Sequence, residues 1–175
     1  MKLVSYMAGA ALLFSGAFLN AAEVKKATVE GAWQSQGTVY LSDPKTAKFM
    51  GILQGVMYVK QGEKAEIDAL PFVCPSVQTM NLVNQTIISS GDCMIGAKND
   101  LIYASYECAG PVDGCEGRFS LRGGTGKFAK ISGASKLSSR LAASLFVADP
   151  SALIAQKRSE GVFLLPDLVY KIPSK

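Results

Sequence analysis

The stretch YECAGPVDGCEGRFSLRGGTGKF, Tyr106 to Phe128, carries two cysteines and six glycines. Three readings compete for it: an active-site loop, a phosphate cradle, or a corner between β-strands. A phosphate loop needs backbone amides aimed at an anion and a helix opening directly behind the glycines. GGTGK lacks the GxxxxGKS/T spacing and has strand-like residues on both sides. Gly123, Gly124 and Gly126 read instead as residues that permit positive φ and close approach in a tight strand-to-strand turn, with Phe128 packing inward after it. The stretch is architecture.

A register follows if Cys108 and Cys115 are bonded across a hairpin whose loop is AGPVDG. A disulfide needs close, facing Cβ atoms, so the two cysteines sit opposite each other. Tyr106 then faces Gly117, Ala104 faces Phe119 and Ile102 faces Leu121, an apolar face. The other face pairs Glu107 with Glu116, Ser105 with Arg118, Tyr103 with Ser120 and Leu101 with Arg122, and is mostly polar. The cysteine assumption does not force that separation, so the two support each other. Upstream, KNDL suits a two-residue turn at Asn99-Asp100. Lys98 then pairs with Leu101, Ile95 with Ala104 and Cys93 with Tyr106. Elimination leaves Cys93 to bond Cys74. On the loop-entropy argument the bridges are worth at most about 2.5 kcal/mol for Cys108–Cys115 and about 3.3 kcal/mol for Cys74–Cys93.

Working outward, short alternating runs are separated by Gly, Pro, Asn and Asp: TVYLS, GILQGVMYVK, KAEIDAL, CMIGAK, LIYASYEC, GRFSLR, ISGASKLSS, LAASLFVA, GVFLL and LVYKI. In KAEIDAL, Ala65, Ile67 and Ala69 share one face. Many strands at regular spacing indicate an all-β domain, a closed antiparallel barrel or a sandwich. DPSALIAQKRSE reads as a short helical turn between two late strands. Lys2, the uncharged run YMAGAALLFSGAFL and the small residues NAA read as a bacterial-looking signal peptide, residues 1–22. Residues 23–36, with Trp33, form an amino-terminal lead-in, and residues 37–175 form the barrel domain. The expected location is therefore the periplasm or the extracellular space, where four cysteines read as two disulfides.

The 175-residue chain has a net charge of +4 with its basic residues interspersed among acids, so no nucleic-acid footprint appears. It contains no histidine, which excludes a Ser-His-Asp triad, a Cys-His dyad and any His-ligated metal site. No cofactor is expected, and no metal.

GGTGKF followed by ISG resembles the glycine motif of the allene oxide cyclase and dirigent-protein barrels, which belong to the calycin-like folds. The wider pattern is similar to bacterial exported proteins of that barrel type: GDCMI, YECAG, GCEGRF, GGTGKF and the closing GVFLLPDLVYKIP, over roughly Cys74 to Pro173. The resemblance implies a closed antiparallel barrel of eight strands. It carries no cyclase residue onto this sequence, because no position matches the catalytic groups of that enzyme. Such barrels also host non-enzymes.

Two constellations remain. The register lines up Asp92, Glu107 and Glu116 across neighbouring strands, opposite the cystine face. Like charges in a cross-strand row disfavour one another, so the row is a solvated outer wall, a cation site, or the seat of a carboxylate with raised pKa for acid/base work. Tyr106, Phe119 and Phe128 are expected inside the barrel as candidate ligand contacts, with Tyr103 and Phe146 also able to line a cavity. The leading expectation is an exported, non-catalytic barrel binding a small apolar or amphipathic molecule. The alternatives are a cyclase or isomerase like allene oxide cyclase, requiring an inward carboxylate, and a structural or partner-binding envelope protein that forms a homodimer.

Overall fold

The computed structural model describes residues 24–60, 67–148 and 154–173. The expected signal peptide lies outside them. Eight antiparallel strands follow one another around the wall: β1 (Val24–Asp43), β2 (Thr46–Lys60), β3 (Ile67–Asn81), β4 (Thr86–Ala97), β5 (Asp100–Pro111), β6 (Gly114–Gly124), β7 (Ser132–Ala148) and β8 (Ile154–Lys171). β1 pairs with β8, so the sheet closes and no strand edge is left open. That pairing decides for the barrel over the sandwich. The upper end carries the β1–β2, β3–β4 and β5–β6 turns. The lower end carries Val24, Lys171, the β4–β5 turn and a 3₁₀ turn at Gly126–Phe128.

Alternation sets the faces. In β4, Ile87, Ser89, Cys93 and Ile95 point inward and are buried, while Ile88, Ser90, Asp92 and Met94 point out. Large residues fill the lower half: Val29, Ile95, Leu121, Ile131, Leu165 and Leu168 are all buried. Inward positions of the upper half are small, among them Ser35, Gly37, Gly51, Ser76, Ser89 and Ser159. A small barrel stays solid only where its inward side chains are bulky enough to meet across the axis. This one therefore has a packed base and a hollow top.

Both disulfides form as expected, Cys74–Cys93 and Cys108–Cys115. The faces also match, but the β5–β6 hairpin is tighter than the sequence reading and the β4–β5 turn sits one residue earlier. In β5–β6, Cys108 opposes Gly117, Tyr106 opposes Phe119 and Ala104 opposes Leu121, so the bridge joins a diagonal pair with Cα atoms 5.5 Å apart. In β4–β5, Ala97 opposes Asp100, Ile95 opposes Ile102 and Cys93 opposes Ala104. Lys98 takes the positive φ, 58°, and the turn is Lys98-Asn99 rather than Asn99-Asp100. Asp100 belongs to β5, where its carboxylate accepts the Lys127 amide at 3.0 Å. Each slip is two residues long, an even number, and so leaves every side chain on its expected face.

The glycine corner is a turn, as read. Gly123 and Gly126 have φ of 151° and 54°. Gly124 does not need positive φ; a Cβ there would collide with the carbonyl oxygen of Leu101. Other readings are corrected. Residues 24–36 are not a lead-in but the first part of β1, paired with β2 and β8. Residues 154–160, expected in a helical turn, begin β8, which continues unbroken through GVFLL and LVYK. ISGASKLSS and LAASLFVA form one strand, β7, bent by irregularities at Ala134/Ser138 and Leu141/Ala143. Ala69 faces outward, because Leu70, Phe72 and Cys74 hold the inward positions of β3. Ala65 and the first part of DPSALIAQKRSE lie outside the described residues.

Candidate ligand cavity

The hollow upper half holds a cavity of ≈ 110 Å³. Its apolar wall is built from rings and aliphatic chains on four strands, chiefly Trp33, Phe49, Leu53, Phe72 and Phe163. Phe72 and Phe163 meet edge to face with centroids 5.7 Å apart. Rings lie on inward glycines of their own or the neighbouring strand. Phe49 covers Gly37 and Gly51, and Trp33 covers Gly161, in each case within the space a Cβ would need. Both cystines form part of the lining.

Polar groups are few and mutually satisfied. The Tyr106 hydroxyl donates to Ser76 Oγ at 2.9 Å and lies 3.3 Å from Ser89 Oγ. Ser76 Oγ in turn donates to the Cys74 carbonyl at 2.9 Å. Trp33 Nε1 donates to Ser139 Oγ at 3.1 Å. Above this network sits Lys157, only 9% exposed. Its ammonium donates to Gln78 Oε1 at 3.0 Å and lies 5.4 Å and 5.7 Å from the ring centroids of Phe49 and Phe146. No carboxylate pairs with it among the described residues. Burial pushes the Lys157 amine below the ordinary lysine range.

A lysine whose folded pKa is lowered weakens the fold at neutral pH. Between the lowered value and the unfolded one, the unfolded chain binds more protons, so stability rises with pH across that window. We predict that Lys157→Met unfolds at a higher temperature than the wild type near neutral pH. The difference should shrink as pH rises toward about 10.4, the ordinary lysine value. Paired thermal melts along a pH series check both signs; a Met variant less stable than the wild type at neutral pH contradicts the assignment.

Of the expected ligand contacts, Tyr106 and Phe119 line the cavity. Phe128 does not. It is drawn to the lower end by the 3₁₀ turn and packs against the base of the core, with the Lys127 ammonium 5.1 Å from its ring centroid. Tyr103 is on the outer wall, 41% exposed. Phe146 opposes Lys157 in the β7–β8 ladder and half covers it from the upper end. Lys157 and Gln78 were missed, and so was the inward position of Trp33. No apolar alternation marks Ala155, Lys157, Ser159 and Gly161 as inward, so the sequence carried no signal for the lysine.

The acidic row does not form. The two-residue slips place Asp92 opposite Ser105, and Glu107 opposite Ser90 and Arg118. Glu116 opposes Ala109 and Ser138. All three acids are exposed on the outer wall. Glu116 accepts Arg140 Nη2 at 2.7 Å and Ser138 Oγ at 2.9 Å, and these bonds hold its carboxyl below the usual range. Among the described residues no group of three or more potential metal ligands converges.

No protein-family model matches the chain, and no curated protein matches it. Among solved structures it is similar to the pterocarpan synthase dirigent protein GePTS1, at 11% identity over 87% of this chain and 88% of that one, with a TM-score of 0.42. The eight-stranded closed barrel therefore rests on its own strand pairing, and the roles of its residues rest on the cavity.

Proposed function

We propose that this protein is an exported, non-catalytic barrel that holds a small amphipathic molecule in its upper interior. The cavity carries the reading: it is mostly apolar, with a few convergent polar groups at one end, as in small-molecule sites generally. Size limits the occupant. A dry cavity of ~150 Å³ takes a benzene ring, so ≈ 110 Å³ limits the occupant to at most about one ring or a short chain and excludes a long-chain lipid. In support of a binding role over a cyclase, no Asp or Glu among the described residues lines the cavity, whereas such an enzyme needs an inward carboxylate.

Export is supported by the signal-like amino terminus and by two disulfides, which persist in oxidising compartments. Among the described residues no helix is long and apolar enough to cross a membrane. Outward Glu107, Glu116, Arg118 and Arg122 interrupt the wall of β5 and β6, where a membrane barrel would need an apolar band.

Pairing with a second copy of the chain is a further reading, favoured by the adjoining wall. Met50, Ile52, Val56, Val73, Val77 and Met94 are exposed together on β2, β3 and β4.

Native mass spectrometry of the mature protein, purified from its own host, tests both readings. The expected spectrum shows the barrel with a small adduct that denaturation removes, and a dimer that grows with protein concentration. A bare chain mass, with Trp33 fluorescence unmoved by benzyl alcohol, overturns the binding reading. A mass that stays monomeric at all concentrations removes the second.

A further inference from the structure

We infer that the cavity selects an anion, a small carboxylate with a ring or short-chain body, whose head pairs with the Lys157 ammonium while the body lies against Phe49, Leu53 and Phe72. The inference rests on the binding reading above and adds the chemical class of the ligand. Three observations carry it.

The first is an unbalanced charge. Lys157 is 9% exposed, yet among the described residues its hydrogen-bond acceptor is the neutral Gln78 amide, beside two aromatic faces, with no carboxylate paired to it. A buried ammonium without a counter-ion is expensive to keep, and an amide oxygen with two ring quadrupoles offsets only part of that. A carboxylate entering beside it would supply the missing charge as a charge-assisted hydrogen bond.

The second is position. Lys157 opposes Gly37 on β1, and Gly37 opposes Gly51 on β2. Two adjacent inward positions without side chains admit the Phe49 ring beneath the ammonium, and Lys157 itself lines the cavity. Below the lysine come the Tyr106, Ser76 and Ser89 hydroxyls, bonded to one another, and the apolar wall of Leu53 and the Phe72–Phe163 pair. Charge at one end and rings at the other match the two halves of an amphipathic acid.

The third is that no group inside competes among the described residues. The side chains facing Lys157 are Phe49 from β2, Gln78 from β3 and Phe146 from β7, none of them titratable. Around the whole cavity, Lys157 and Tyr106 are the titratable side chains among the described residues, the cysteines being bonded. The lowered amine pKa is the companion of this arrangement. An anion favours the protonated lysine, so its affinity falls as pH rises through the lysine titration. A neutral ligand shows no such dependence.

The protein carries its own reporter, because Trp33 is the sole tryptophan and lines the cavity. Benzoate and its neutral counterpart benzyl alcohol are titrated against the full mature chain and against Lys157→Met, following Trp33 emission. Thermal unfolding confirms that the variant is folded. The expected result is benzoate bound about tenfold or more tighter than benzyl alcohol by the wild type, an advantage lost in Lys157→Met. In the wild type, benzoate affinity should also decline as pH rises toward about 10.4, the ordinary lysine value, while benzyl alcohol stays level, a readout that needs no mutant. Equal affinities for both compounds, unchanged by the substitution and by pH, overturn the anion assignment and leave the cavity reading standing. If neither compound moves Trp33 emission, both fall together.

Discussion

Replacing Cys74 and Cys93 by alanine is expected to lower the unfolding free energy by about 3 kcal/mol or more, the larger loss of the two disulfides. The bridge closes a separation of 19 residues, against 7 for Cys108–Cys115. On chain entropy alone the values are about 3.3 and about 2.5 kcal/mol. Two local features add to the first. Cys74 is 2% exposed, so truncation removes packed sulfur from the interior. The bridge also lies where the β3–β4 ladder is weakest: the paired positions run through Val73–Met94 and resume at Ser76–Gly91. Between them Pro75 has no amide to donate. The Cα atoms of Cys74 and Cys93 are 4.1 Å apart across this gap, and the covalent link holds the strands together there. For a domain of this size the melting temperature should fall by roughly 6–12 °C. Equal losses for the two double variants, or a loss under about 1 kcal/mol, would contradict this account.

Gly51→Ala should destabilise the barrel by about 1–3 kcal/mol although it adds a single methyl group. An added Cβ would overlap the carbonyl oxygen of Gln36, lie 2.8 Å from Gly37 Cα and 2.5 Å from the Phe49 ring. Two of those neighbours are backbone of the paired strand and cannot swing away. The remaining way out is to lift Phe49, which carries the face beneath the Lys157 ammonium. Loss of stability should therefore be accompanied by weaker binding of any cavity ligand. Denaturant unfolding and Trp33 titration on the same samples read both effects. A variant as stable as the wild type would show that the β1–β2 pair is looser than described.

Much of the interior face was legible in advance because side-chain direction repeats every second residue. Cys93, Ile95, Ile102, Ala104 and Tyr106 were assigned inward from a register that was itself displaced, and they remained inward. The displacement came from the turns. Asp100 looks like a turn residue, yet its carboxylate is engaged by the amide of Lys127. Its place in β5 depends on a segment 27 positions away in the chain. The acidic row depended on register as well as on face, so it dissolved when the pairs slipped. Phe128 was given the wrong level for a similar reason, since the 3₁₀ turn drops it to the base instead of feeding it straight into a strand.

Lys157 was hidden for a different reason. Strands are found by apolar alternation, but the inward positions here are Ala155, Lys157, Ser159 and Gly161, and Ile154 points outward with 43% exposure. Such a pattern reads as polar loop or helix. The residues that hollow the barrel are the residues that conceal its strands.

The chain alone determined which residues turn inward, that the cysteines pair as neighbours and that the glycine corner is a turn, because each depends on local periodicity, spacing or backbone freedom. Closure of β1 on β8, the level at which small residues from separate strands coincide, and the seat of a lysine among aromatic rings were decided only by the folded barrel. They are sums over positions far apart in the chain, and no local pattern records them.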